Sequence, residues 1–159
     1  MLSSILRLMT SLLLAGWVTL SFADPLTGTE DITDEDVNLR IDTFDEIDQL
    51  FKELRFKVVN QRSTDREAAL VFSEQLVILS YRLPDMFDLP SSREIFPQSR
   101  SHPKIWTRKK YFDRLMEEFV DNLEKIDDEI RDGDLTKAGR LIDITAKGCR
   151  RCHNGFRYK

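Results

Sequence analysis

The chain has 159 residues, with 24 lysines and arginines against 28 aspartates and glutamates, a net charge of −4 and 41% apolar side chains. That length suits one domain with a single continuous core and no disulfide scaffold, and the composition excludes a disordered tail or a multi-span membrane protein. The acidic balance leaves no footprint for a polyanion, so no nucleic acid partner is expected.

Residues 1–23 read as a cleaved secretory signal peptide. Arg7 is the only charged side chain there, the run from Leu8 to Leu20 is mostly apolar, and Ser21-Phe22-Ala23 puts small residues at both specificity positions of a cleavage site. Trp17 follows Leu14-Ala15-Gly16 where a lipid anchor would need cysteine. The mature protein is therefore expected in a periplasm, with residues 24–42 as a polar acidic leader and 43–159 as the folded domain.

Within that domain the apolar residues recur at alternating three- and four-residue steps, and the period of two expected of strands is not sustained. The first predicted helix takes Thr43 as N-cap with Glu46 completing a capping box, carries Phe44, Ile47, Phe51, Leu54 and Val58, and ends near Asn60. A second box, Thr64 with Glu67, opens the next helix, whose seam is Ala69, Phe72, Leu76, Leu79 and Leu83; Pro84 stops it for lack of an amide. After a long loop, Pro103 starts a third helix bearing Ile105, Phe112, Met116, Phe119, Leu123, Ile126 and Ile130. Gly133 suits its left-handed stop, and Asp134 caps a last helix with Leu135, Ala138, Ile142, Thr145, Cys149, Cys152 and Phe156 on one stripe. Four such seams predict an all-α fold, an antiparallel, left-handed four-helix bundle.

Cys149-Arg150-Arg151-Cys152-His153 has the C-x-x-C-H spacing of c-type haem attachment. Two thiols one helical turn apart can each add to a vinyl group on the same porphyrin edge. The imidazole of His153, turned by about 100° from Cys152, can then ligate iron. A structural zinc would need a fourth ligand, for which the mature chain offers only His102. A redox dithiol would sit where a strand meets a helix, and a disulfide at this spacing is strained inside a helix. One haem c, held by Cys149 and Cys152 with His153 on the metal, uses all three side chains.

Pro103-Lys104-Ile105-Trp106, Phe112, Phe119, Asp121-Asn122, Gly133-Asp134-Leu135 and Cys149 through Arg157 together resemble the cytochrome c prime family over the third and fourth helices, and Leu83-Pro84 resembles its second helix end. The resemblance implies a periplasmic, often homodimeric haem protein whose iron has one histidine and an apolar sixth site open to nitric oxide or carbon monoxide. It also implies that Arg157 lies beside the proximal face. The family's loop before the third helix is usually glycine-rich, whereas Ser91 to Ser101 has no glycine. The family draws its distal residue and a propionate-binding arginine from the first helix; Phe51 is the expected distal side chain, with Ile47 and Leu54 as alternates.

Of the four methionines, Met1 and Met9 fall in the signal, leaving Met86 and Met116, neither on the first helix. His102 reads as a helix-start cap. Five-coordinate, high-spin iron able to change by one electron is therefore expected, and a six-coordinate electron-transfer haem is the alternative. An apolar wall without hydrogen-bond donors favours nitric oxide or carbon monoxide over dioxygen. With no acid–base pair placed near the iron, a binding protein rather than an enzyme is expected. Lys147, Arg150, Arg151, Arg157 and Lys159 make a basic end, read first as compensation of a helix C-terminus and second as a docking patch for a redox partner.

Overall fold

The computed structural model describes residues 31–159, so the expected signal segment and the start of the leader lie outside the described residues. Helix α1 spans Asp34–Arg55 and begins well before Thr43. Its cap is Thr33: the Oγ1 accepts from the Asp36 amide at 3.2 Å, and the Asp36 carboxylate accepts from the Thr33 amide at 2.8 Å. Asp34, Glu35 and Asp36 place negative charge on the positive end of the helix dipole. Residues 34–42 of the expected leader thus form the opening turns of a helix, whose buried stripe starts at Val37 and Arg40. Thr43 is buried inside the helix, its hydroxyl donating to the Leu39 carbonyl at 2.7 Å.

A π-helical turn, Phe56–Asn60, extends α1 to the expected end. Helix α2 spans Arg66–Ser80, and Asp65 rather than Thr64 caps it, accepting from the Ala68 amide at 2.9 Å. The third predicted helix is two pieces. Helix α3, Lys104–Thr107, breaks at Arg108 (φ −127°, ψ 37°) before α4, Lys109–Asp132. Gly133 takes the left-handed stop at φ +85°, and Asp134 caps α5, Leu135–Phe156, by accepting from the Lys137 amide at 2.8 Å.

Helix α1 packs on α2, α2 on α4 and α4 on α5, and α1 with its π-turn closes the ring on α5. Leu54, Leu76, Leu123, Ile126, Ile130 and Ile142 fill the space between the four long helices and are all but inaccessible. Among the described residues there is no strand, only an antiparallel bridge between Ser101 and Arg157. Two left-handed positions have opposite costs. Gly133→Ala puts a Cβ where φ is +85° and is expected to cost about 1 kcal/mol, whereas Arg62→Gly at φ +52° should recover a similar amount, both measured by urea unfolding.

Candidate haem site

The last turns of α5 carry Cys149, Cys152 and His153 to a two-lobed cleft between α1, α4 and α5. Spacings of three and four residues keep all three side chains on one face of the helix. The apolar lobe encloses about 1220 Å³, its open mouth included, and both cysteines border it with Phe44, Ile47, Phe51, Leu115, Met116 and Phe119. The second lobe, about 870 Å³ measured the same way, is lined by Arg40, Phe87, Arg100, Ser101, Phe156 and Arg157 among others. Phe44, Asp48, Phe112 and His153 border both. These sizes suit a ligand larger than a solvent molecule or an ion.

Burial raises both thiols: Cys149 lies above its ordinary value, and Cys152 is pushed up to about 11, with Cys149 beside it adding to the shift. They are therefore neutral thiols at neutral pH, not the thiolates of a reactive dithiol. The imidazole of His153 is exposed to the cleft, but the surrounding walls remove enough water to lower its pKa, and the charge of Arg157 lowers it further. A neutral imidazole is the form that donates to a metal. Asp48 sits exposed at the margin, paired with Lys52 at 2.5 Å.

Arg157 is exposed on the wall of the second lobe, its backbone held in the bridge to Ser101. Phe51 and Ile47 border the apolar lobe, while Leu54 is fully buried and belongs to the core alone. Met86 and His102 border neither lobe. His102 accepts from the Lys104 amide through Nδ1 at 3.1 Å and stacks on Tyr158 at 4.8 Å. Met116, by contrast, is nearly buried on the wall of the apolar lobe.

Two site residues were not expected from the sequence, which placed Phe44 on the core seam only and left Arg40 in the leader. Phe44 is the aromatic side chain of α1 that borders both lobes together with His153. Arg40 is 3% exposed, and its guanidinium donates to the Met86 carbonyl (3.1 Å), the Ser91 hydroxyl (2.5 Å) and carbonyl (3.0 Å) and the Ser99 hydroxyl (3.1 Å). Burial pushes its pKa down to about 10. Among the described residues no carboxylate lies within ion-pairing distance of it. A register starting α1 at Thr33 would have put Val37, Arg40, Thr43, Phe44 and Ile47 on one stripe and exposed both.

The residues present fit a haem. An apolar slot bordered by two neutral thiols and a neutral imidazole matches a porphyrin plate with reactive vinyl groups. The adjoining arginine-bearing lobe matches its carboxylates. Zinc fits poorly, because no group of three or more His, Cys, Asp or Glu side chains among the described residues is placed to hold a metal ion.

The family model described as Cytochrome C′ matches residues 35–157. No curated protein matches the chain in sequence. Among solved structures, a ferrous variant of cytochrome c prime from Alcaligenes xylosoxidans with bound nitric oxide superposes with a TM-score of 0.70 at 22% identity, over 78% of this chain and 94% of that one. A ferric variant of the same protein with nitrite gives the same four figures. A structure described as cytochrome c′ gives 0.71 at 20% identity, over 80% and 99%. Likeness at this identity establishes the four-helix fold.

Raised thiol pKa values have a direct consequence for haem-free protein. Cys152 is expected to react with iodoacetamide at pH 7.5 about two orders of magnitude more slowly than a free thiol, accelerating as pH rises through 9, as followed by mass spectrometry.

Proposed function

The chain belongs to the cytochrome c′ family, and from that premise we propose that it is a periplasmic binding protein for nitric oxide or carbon monoxide, with one haem c whose iron is five-coordinate and high-spin. The observation that carries this reading is the cleft itself: one neutral imidazole opens on a slot whose other walls are largely hydrocarbon and aromatic. No helix among the described residues is long and apolar enough to cross a membrane. The signal-like residues 1–23 support export.

Bound haem would supply an iron that changes by one electron and takes a diatomic ligand. Cys149 and Cys152 would hold the macrocycle through thioethers, and His153 would give the single protein nitrogen to iron. Arg157, on the lobe that His153 also borders, would add positive charge on that side, and Arg100 with the buried Arg40 would favour the carboxylates. Phe44 is the better candidate than Phe51 for the side chain over the open iron face, because it stands on α1, across the cleft from the helix that carries His153, where the two lobes meet, while Phe51 borders the apolar lobe alone. Both rings exclude water and offer no hydrogen bond, which suits nitric oxide and carbon monoxide. Exposed Leu39, Val71, Ile78 and Tyr81 on or beside α1 and α2 support a homodimer.

The six-coordinate electron carrier needs a second ligand, and Met116 is the thioether that borders the apolar lobe. Absorption spectra separate the two readings. Purified periplasmic protein is expected to keep its colour in acidified acetone, to show high-spin bands when oxidised, and to shift on adding nitric oxide or carbon monoxide. Met116→Leu should leave those bands in place. A low-spin spectrum indifferent to carbon monoxide would overturn the reading in favour of the carrier.

Aromatic bulk over the iron should also govern access. Phe44→Ala is expected to speed carbon monoxide association about tenfold, equivalent to ~1.4 kcal/mol off the barrier, with Phe51→Ala changing it by less than about twofold, both by flash photolysis.

A further inference from the structure

Charge is distributed unevenly along this chain. Residues 104–114 carry five basic side chains against one acidic, and residues 147–159 carry five against none, in a protein of net charge −4. The fold brings the two segments together: α3 packs on α5, and the Tyr111 ring lies 5.9 Å from that of Phe156. Arg108 and Arg114 each hold a guanidinium 5.1 Å from the centroid of the half-buried Tyr111. Lys109 pairs with Asp113 at 2.6 Å and Arg151 with Glu118 at 2.7 Å. Arg108, Lys110 and Arg114 are exposed, and none of them is in an ion pair with another described residue.

Tyr111 is also close to the cleft. Phe156, which it touches, packs edge-on against Phe112 at 5.4 Å, and both phenylalanines line cleft walls. An aromatic contact path thus runs from the cleft to the centre of the basic surface.

We propose that this cationic end, centred on Tyr111 and framed by Arg108, Lys110, Arg114 and Arg151, is the docking face for an acidic one-electron donor protein. The proposal rests on the haem reading above. One electron would leave the partner's reduced centre and convert ferric to ferrous iron, and no bond would form or break. A net acidic protein can present such a face because charges beyond about 8–10 Å are screened at physiological salt, so an approaching anionic surface is steered by the local field. An anionic membrane is the poorer fit. The large exposed apolar side chains lie at Leu39, Phe56, Val71, Ile78 and other positions outside both basic segments, so this face has nothing to insert.

Two measurements on the holoprotein test the proposal. In an NMR titration with an octaglutamate peptide, amide shifts are expected within residues 104–114 and 147–159 and should vanish at high salt. Reduction by the dianionic iron(II)–EDTA complex is expected to slow about threefold or more as ionic strength rises from about 10 mM to about 0.2 M. The pair Arg108→Glu with Arg114→Glu should abolish or invert that dependence, and Lys125→Glu elsewhere on α4 should not. A rate that rises with salt in the unaltered protein would show that net charge governs encounter and would overturn the proposal. So would peptide shifts elsewhere or none, or co-sedimentation with phosphatidylglycerol vesicles through these residues. A colourless protein would sink the haem reading instead, while the peptide titration would still report on the surface.

Discussion

The arrangement depends on one register: Cys149, Cys152 and His153 fall at three- and four-residue steps on the stripe that α5 turns toward α1 and α4. Helical geometry makes this an all-or-none constraint, since a shift of one residue would rotate the set by about 100° toward solvent. The register is pinned at both ends. Asp134 caps the first turn, and beyond the last turn the His102 amide donates to the Phe156 carbonyl at 2.9 Å while the Tyr158 amide donates to the Arg100 carbonyl at 2.8 Å. Between these anchors Ala138, Ile142 and Thr145 are buried along the same stripe.

Burial also decides the chemistry of the site. Thiols beside the apolar lobe hold their protons, and an imidazole with walls around it and Arg157 nearby loses its own. The same three side chains at a hydrated helix N-terminus would favour thiolate chemistry. Here loss of water is the largest influence on both cysteines, and the nearby Arg150 and Arg151 offset only part of it.

Much of this was legible in the chain itself. The seams of the last two helices are long, regular and punctuated by Gly133-Asp134, so both the helices and the side chains on their faces could be read directly. Helix α1 was harder. Its first turn is built from Asp34, Glu35 and Asp36, which resemble a solvated tail, and its buried stripe includes Arg40 and Thr43, polar residues that break the apolar pattern. Missing that turn moved the expected cap to Thr43 and drew attention to Phe51 when Phe44 borders more of the site. The interruption at Arg108 carries no glycine or proline signal, so the split between α3 and α4 could not be read from pattern alone.

Arg40 explains why serines suit the loop before α3. A buried guanidinium without a carboxylate carries a desolvation cost of several kcal/mol, and charge-assisted hydrogen bonds of about 1.5–3 kcal/mol each can offset it. Glycine could offer carbonyls only. Ser91 and Ser99 add hydroxyl acceptors, and the Ser99 hydroxyl also donates to the Ser91 carbonyl at 2.8 Å, so one cation organises the whole turn. From there the order passes on, because the Ser101 amide donates to the Ser99 hydroxyl and Ser101 bridges to Arg157. A charge on the first helix thereby fixes the backbone just past His153, and polarity inside the bundle becomes a means of holding the end of α5 in place.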